Sequence, residues 1–344
     1  MSEPKPETSA AAGGGDMMAR LLRALAMRVP PLRRLREDRD RLAARVHELL
    51  EDHDRLAARV RELLDDRHLF PAPRSPRPYG ICEVVNPARY EDPEWLAIHH
   101  DLERYSLDKH CFQNRSGAVY RKGWEWTHCI YGLRKLGMIR PDRVALGVGA
   151  GRECVIYYLA DHIRRVVASD LYGGSWTNAG GREADLALVE QSKSVCPPSV
   201  DFSKVAFENQ DGTRLTYANE SFDFCWSLSS IEHFGGYEAA AQAMREMARV
   251  TKPGGIVALA TEMLLVDDYE HPEFFTRAGI DRWLVHATPE LQLVEEIDYS
   301  TLPLVYLVDS IAVPHGVERH RRHVVLNDGG VQWTSVMLFL RKVG

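Results

Sequence analysis

Apolar and polar residues alternate in blocks along the second half of the chain, and these blocks predict strands and helices in turn. Short apolar runs typical of buried strands occupy 143–148, 165–169, 205–209, 222–228 and 256–261. Helical patterns at 152–163 and 183–192 separate the first three runs, and another begins near Ala240. Two further strands are predicted at 291–299 and 331–342. This alternation predicts an α/β fold with a doubly wound, mostly parallel, seven-stranded sheet.

A different periodicity marks residues 32–67. A fourteen-residue unit at 38–51 is repeated at 52–65, and leucine recurs at every seventh position, at 35, 42, 49, 56 and 63. Val46 and Val60 fill the alternate core position, and this arrangement of leucine and valine favours a parallel two-stranded coiled coil. We therefore predict a homodimer formed through this segment. A single solvated helix is the alternative, because many of its residues are charged.

The remaining segments complete the predicted organisation. Residues 1–31 combine an Ala-, Gly- and Pro-rich start with a short cationic amphipathic lead-in, for which peripheral membrane contact is one interpretation and a plain helical lead-in another. Residues 68–90 are predicted to be a proline-rich linker, and 91–140 a helical cap. The α/β domain is expected at 141–344, where the long connection 300–330 would help to roof its pocket.

Composition narrows the range of partners and compartments. The chain has 43 basic and 49 acidic residues and a net charge of -6, which argues against nucleic acid as its main partner. The six cysteines are scattered without the paired spacing of zinc or redox sites. Since the sequence shows neither a signal-peptide pattern nor an apolar run of about 20 residues, we expect a cytoplasmic protein, with a membrane-peripheral location as the alternative.

The first strand-to-helix turn carries the strongest chemical signal, the sequence Gly147-Val148-Gly149-Ala150-Gly151. In a doubly wound sheet, ligands bind beyond the carboxyl ends of the strands, and glycines there let a ligand approach the backbone. A dinucleotide-binding fingerprint would require glycine at the sixth position, where Arg152 stands. This spacing disfavours an NAD-dependent oxidoreductase, which remains an alternative.

Further landmarks follow the turn in order. Asp170 ends the second predicted strand, Asp211-Gly212 follows the third, Glu232-His233 follows the fourth, and Lys252-Pro253-Gly254-Gly255 precedes the fifth. With these landmarks, residues 141–344 resemble the class I S-adenosylmethionine-dependent methyltransferases. The resemblance implies S-adenosyl-L-methionine as cofactor, no metal, and a set of cofactor-binding residues: Gly147, Val148, Gly149, Ala150, Gly151, Glu153, Asp170, Asp211, Gly212 and Ser227.

The resemblance also implies how these residues divide the work. Asp170 would accept from the ribose hydroxyls, and Asp211 with Gly212 would contact the adenine. The family often has an acid two positions before the first glycine, where this chain has Ala145. Glu153 is the candidate to replace that acid near the cofactor's ammonium group. Its alternative role is that of a carboxylate stabilised at a helix N-terminus.

The acceptor and any proton transfer complete the hypothesis. His233 and Glu232 are the candidate catalytic residues, with His233 the better general base at its ordinary pKa, although both could merely orient a loop. The order of coiled coil, proline spacer and methyltransferase is similar to proteins of bacterial surface-glycan pathways. We therefore expect O-methylation of a sugar or glycan, with another small-molecule acceptor as the alternative. A non-catalytic scaffold that retains a cofactor-binding fold is a further alternative.

Overall fold

The computed structural model describes residues 30–65, 80–112, 119–172, 184–300, 308–310, 322–327 and 331–344. It contains two units, Met1–Pro76 and Arg77–Gly344. The predicted amphipathic lead-in, most of the proline-rich linker and most of the connection 300–330 lie outside the described residues. Among the helices that the structure describes, none combines the length and apolarity needed to cross a bilayer.

The first unit contains one long helix, α1 (Pro30–Asp65), of 36 residues. It begins at a proline, which suits the first turn of a helix because the amide hydrogen that proline lacks would have no partner there. Its leucine stripe is open to solvent in the single chain, with Leu35 and Leu42 each 66% exposed and Leu49 52% exposed. The predicted helix is thus present, while its pairing with a second helix stays a prediction.

Ten strands of the described residues form one sheet in the second unit, and two more form a separate small pair. In chain order the strands are β1 (Glu83–Val84), β2 (Val119–Tyr120), β3 (Val144–Val148), β4 (Arg165–Asp170), β5 (Val205–Asn209), β6 (Phe222–Leu228), β7 (Thr251–Leu264), β8 (Leu291–Leu293), β9 (Val308–Ser310), β10 (Arg322–His323), β11 (Val325–Asn327) and β12 (Gln332–Lys342). The main path runs β5-β4-β3-β6-β7-β12-β11-β9, and β1 and β8 also pair with β12.

The sheet is mostly parallel, as predicted. Strands β5, β4, β3, β6 and β7 are parallel neighbours, whereas β12 is antiparallel to both β7 and β8. The predicted count of seven strands is wrong for the described sheet, because β1, β9 and β11 add to the seven expected ones. These additional strands have two or three residues each, which is too short to produce a periodic pattern in the sequence.

Six helices of the described residues accompany the strands in the second unit. They are α2 (Pro93–Glu103), α3 (Arg121–Lys135), α4 (Cys154–His162), α5 (Leu186–Ser194), α6 (Tyr237–Val250) and α7 (Arg277–Ile280), the last continuing as a π-helical turn, Asp281–Val285. Helix α3 packs against β12 and β7, and every residue from 121 to 133 except Lys122 is buried. Its tight fit is visible at Gly132, where an added Cβ would lie 2.1 Å from the Phe339 ring. Helix α3 is therefore part of the core.

The order of the strands fixes where a ligand can bind. Strand β3 has β4 on one side and β6 on the other, so the chain reverses its direction of progress across the sheet at β3. Parallel sheets of this kind bind ligands at the carboxyl ends of the strands beside such a reversal. The turn between β3 and α4 lies at that position.

Candidate functional site

The glycine turn has a backbone shape that other residues would adopt only with strain. Gly149 and Gly151 have φ angles of +66° and +50°. A Cβ at Gly149 would lie 2.6 Å from the Cβ of Ser230, and one at Gly147 would lie 2.5 Å from the Trp226 ring. The hydroxyl of Ser230 donates to the Gly149 carbonyl oxygen at 2.7 Å. The turn is thus held against the end of β6 with its backbone exposed toward a ligand.

Asp170, the last residue of β4, is bound directly to this turn. Its Oδ2 accepts from the Gly151 amide at 2.8 Å, and its Oδ1 accepts from the Leu171 amide at 2.7 Å. Each carboxylate oxygen can accept a further hydrogen bond. The structure therefore brings the glycine turn together with Asp170, the residue that the resemblance assigns to the cofactor's ribose.

The segment after β5 lies near the same turn through one aromatic ring. Asp211 is exposed and accepts from the amide and hydroxyl of Thr213, at 2.8 and 2.7 Å, which shapes a tight turn. At Gly212, an added Cβ would lie 2.5 Å from the Phe234 ring, and the same ring would be 3.1 Å from a Cβ at Gly149. Phe234 thus lies between the two glycines. Sequence analysis missed Phe234, because no motif spacing marks it.

Two neighbouring residues of β6, Trp226 and Ser227, are fully buried and carry polar groups. Ser227, in β6, is fully buried, and its hydroxyl has no hydrogen-bond partner among the described residues. Trp226, also fully buried, donates its indole N–H to Glu153 Oε1. Glu153 stands at the N-cap of α4 but makes no side-chain capping bond, so its carboxylate faces Trp226 instead of the helix end. Burial raises the pKa of Glu153 to about 8.

A cavity of about 210 Å³ opens beside the glycine turn. Its walls come from the 109–112 turn, the start of α3, the β3–α4 turn and the end of β6; the lining residues are Asp108, His110, Cys111, Lys122, Trp126, Gly149, Ala150, Gly151, Arg152, Glu153, Leu228, Ser229 and Ser230. Sequence analysis placed only the glycine turn and Glu153 in this set. Trp126 is buried in the core and also lines the cavity.

A buried charge cluster supports the α3 wall of the cavity. Arg121 contacts Glu262 through Nη2 at 2.6 Å and Glu125 through Nη1 at 3.0 Å. Lys122 Nζ lies 3.1 Å from the other oxygen of Glu125, Oε2. The hydroxyl of Ser335 donates to Oε1, the oxygen that Arg121 contacts. Burial opposes ionisation of Glu125, but the charges of Lys122 and Arg121 hold its pKa below the ordinary value. The cluster thus joins α3 to β7 and β12.

The two predicted catalytic residues lie behind the cavity wall. Glu232 is 1% exposed; its Oε2 accepts from the Thr261 hydroxyl at 3.1 Å, and its Oε1 has no hydrogen-bond partner among the described residues. Burial and the nearby Glu262 raise the pKa of Glu232 to about 8. His233 is half-buried, with Nδ1 3.5 Å from Glu273 Oε1. The cavity is lined here by Ser229 and Ser230, not by either predicted residue.

These residues fit the cofactor that the sequence implies. The glycines let the turn pack closely against Trp226 and Ser230 while it lines the cavity, Asp170 offers acceptors beside it, and the buried hydroxyl of Ser227 has no partner among the described residues. The described His, Cys, Asp and Glu side chains form no group of three that could hold a metal ion.

Comparison with known proteins also indicates a methyltransferase. A family model described as a methyltransferase domain matches residues 146–259. A methyltransferase, GfsG, of Streptomyces halstedii is 44% identical over 105 residues, which cover 29% of this chain and 37% of that protein. A demethylmenaquinone methyltransferase of Mycobacterium sp. (strain JLS) is 26% identical over 244 residues, covering 68% of this chain and 94% of that protein.

The extent of the match differs among relatives. The chain spans 37%, 21% and 22% of the lengths of three curated relatives that it matches at 37% to 45% identity. Among solved structures, the YcgJ protein of Bacillus subtilis aligns at 15% identity with a TM-score of 0.41, over 63% of this chain and 99% of that one. The family model covers the glycine turn, Asp170, Asp211 and the Glu232-His233 pair. By this match, residues 146–259 are a methyltransferase domain, which implies S-adenosyl-L-methionine as the cofactor.

Proposed function

We propose that the protein is an enzyme that transfers a methyl group from S-adenosyl-L-methionine to a hydroxyl of a small organic acceptor. One observation carries this proposal: the glycine turn, bound to Asp170, lines a partly open cavity of about 210 Å³. A pocket of that size beside a cofactor turn suits a small acceptor group better than the surface of a macromolecule. Helix α3 and the 109–112 turn form two of its walls.

The acceptor class is drawn from two sources. The order of segments along the sequence favours a sugar or glycan hydroxyl. The names of relatives favour other small molecules, since one acts on 27-O-demethylrifamycin SV and others on demethylmenaquinone. We propose a hydroxyl acceptor; because one quinone-type relative is named as a C-methyltransferase, methylation of a ring carbon is the alternative, and both acceptor classes belong in the first activity screen.

For methyl transfer to a hydroxyl, the protein has to align the acceptor with the methyl group and accept one proton from the hydroxyl. The cofactor supplies an activated methyl group, and the protein must hold acceptor and methyl in line. The glycine turn and Asp170 would fix the cofactor, while Trp126 would border the acceptor. His233 and Glu232, which follow the cavity-lining Ser229 and Ser230 without lining the cavity themselves, are the proposed proton acceptors. A carboxylate whose pKa is raised toward the working pH suits general-base chemistry.

The proposed function is tested first by binding and then by turnover. Isothermal titration calorimetry should show binding of S-adenosylhomocysteine and none of NAD; the reverse result would indicate an oxidoreductase. Methyl transfer from labelled cofactor is then measured with sugars, sugar nucleotides, quinols and polyketide hydroxyls. Product formation with one class supports the proposal, and cofactor binding without turnover across the panel favours the non-catalytic scaffold.

We also propose that α1 pairs with the α1 of a second copy. Its exposed residues Leu35, Leu42 and Leu49 recur every seven residues, and the repeated unit lets one helix match itself in register. Three large apolar side chains at this spacing would remain in water in the single chain. Pairing in a parallel dimer would remove them from solvent.

A further inference from the structure

The amino-acid end of the cofactor is a zwitterion, so it needs an anion for its ammonium group and a cation for its carboxylate. The position at which the family often places an acid is Ala145 here, which is fully buried in β3. Two oppositely charged side chains line the cavity at the glycine turn instead. We propose that Glu153 binds the ammonium group of the cofactor and that Lys122 binds its carboxylate. This inference rests on the proposed function and assigns the charged end of that same site.

Glu153 is oriented for such a contact. Its backbone is at the N-cap of α4, beside the glycine turn, yet its side chain does not cap the helix. The Trp226 indole fixes one carboxylate oxygen, and this is the hydrogen bond that the described residues make to that carboxylate. The indole lies in β6 and is fully buried, so the carboxylate is held on the side of the sheet. An ammonium group bound in the cavity would contact the other carboxylate oxygen.

Lys122 is oriented in the same way from the other wall. It is the one residue of 121–133 that is not buried. Its side chain is 29% exposed to solvent and lines the cavity. Glu125 holds its ammonium at 3.1 Å, and Arg121 and Ser335 hold Glu125 in turn. A lysine ammonium has three donors, so it can bind Glu125 and a ligand carboxylate together. Glu125 pairs with both Arg121 and Lys122, so one carboxylate faces two cations and the charge of Lys122 is not fully neutralised.

The two groups act on one another electrostatically, which places them in one site. The charge of Lys122 lowers the pKa of Glu153, against the larger effect of burial. Arg152 and Asp108 also line the cavity, but they pair with each other at 2.9 Å. Lys122 and Glu153, a second cation and a second anion beside the glycine turn, match a zwitterion better than they match a ligand of single charge. An acceptor carrying its own charges is the competing occupant, and the choice of ligands in the test separates the two.

The test compares two ligands that differ only at this end. S-Adenosylhomocysteine carries the amino-acid portion, and 5′-methylthioadenosine has the same nucleoside and thioether without it. We expect Glu153→Gln and Lys122→Met each to weaken S-adenosylhomocysteine binding about 10- to 100-fold, as for loss of a hydrogen bond between charged groups. Binding of 5′-methylthioadenosine should change less than about twofold. Calorimetry measures both affinities without turnover.

Matched controls distinguish a local effect from a general one. Glu238→Gln removes another carboxylate from the first turn of a helix, α6, and Lys135→Met removes an exposed lysine of α3 that pairs with Glu94. Both should bind both ligands like wild type. Equal loss of the two ligands in E153Q or K122M, or no loss of either, overturns the inference. If wild type binds neither ligand, the proposed function itself fails.

Discussion

Binding of the cofactor should expel a proton from Glu153. Burial raises the pKa of this carboxyl to about 8, so about nine-tenths of the free protein carries the proton at pH 7. A cofactor ammonium beside the carboxylate would favour its ionised form and lower its pKa. If the pKa returns to its ordinary range, about 0.9 proton leaves per site at pH 7 and almost none at pH 9.5. The expected affinity therefore rises with pH up to about 8.

The groups around Glu153 set the direction of this effect. From α3, Lys122 lowers the pKa of Glu153 and Glu125 raises it, and Asp170 at the end of β4 also raises it. The thiols of Cys129 and Cys154 and the phenol of Tyr172 lie close enough to be influenced by the Glu153 charge, but burial raises the pKa of each above its ordinary value. They stay protonated across the range tested, so the change in proton binding reports the carboxyl.

Calorimetry in buffers of different ionisation enthalpy measures the released proton directly. The observed binding enthalpy of S-adenosylhomocysteine is plotted against buffer enthalpy at pH 7, and the slope gives the number of protons exchanged. Wild type should release close to one proton, and E153Q close to none. The ligand's own amino group contributes equally in both proteins, so the difference between the slopes belongs to Glu153. Equal slopes in the two proteins would refute the reasoning.

Three further predictions follow from the geometry. Gly149→Ala should lower the unfolding free energy by about 1–3 kcal/mol, because φ is +66° and the added Cβ meets Ser230; a melting curve like that of wild type would contradict this. Glu232→Gln should become more stable relative to wild type as the pH rises from 5 to 8. The raised pKa makes folded Glu232 retain a proton that the unfolded chain loses, so its contribution to the stability of the wild type is present at low pH and is lost as the pH rises. Chemical denaturation at both pH values checks this. Replacing Leu42 and Leu49 with lysine should halve the mass measured by light scattering, and a monomeric wild type would refute pairing of α1.

Much of the fold could be predicted from the sequence because buried parallel strands leave compact apolar runs. Strands β5 and β6 have the predicted bounds, and β3 and β4 differ by one residue. Strand β7 is longer than predicted, since Thr251 pairs with Phe222 ahead of the glycine pair, and three extra residues of β7 before Ile256 form an irregularity opposite β6. Pairing of this kind depends on the neighbouring strand and is not visible in the local pattern.

The site was predictable only where motif spacing marks it. Asp170 lies beside Gly151, as the order of landmarks implies. Lys122 and Trp126 reach the cavity because α3 packs on β7 and β12, and no spacing in the sequence connects that helix with the glycine turn. The burial of Glu232 could not be predicted from the sequence either, since a carboxylate after a strand can face either a pocket or the core.

The position of β12 has a consequence for how the domain is made. This strand pairs with β7 over nine residues and also with β8, β11 and β1, yet among the described strands it is the last to be translated. Until residues 332–342 leave the ribosome, the edge of β7 lacks this partner and the part of α3 that packs on β12 is uncovered. That strand is therefore needed to complete the described core, and before it emerges the open edge of β7 can pair with other chains.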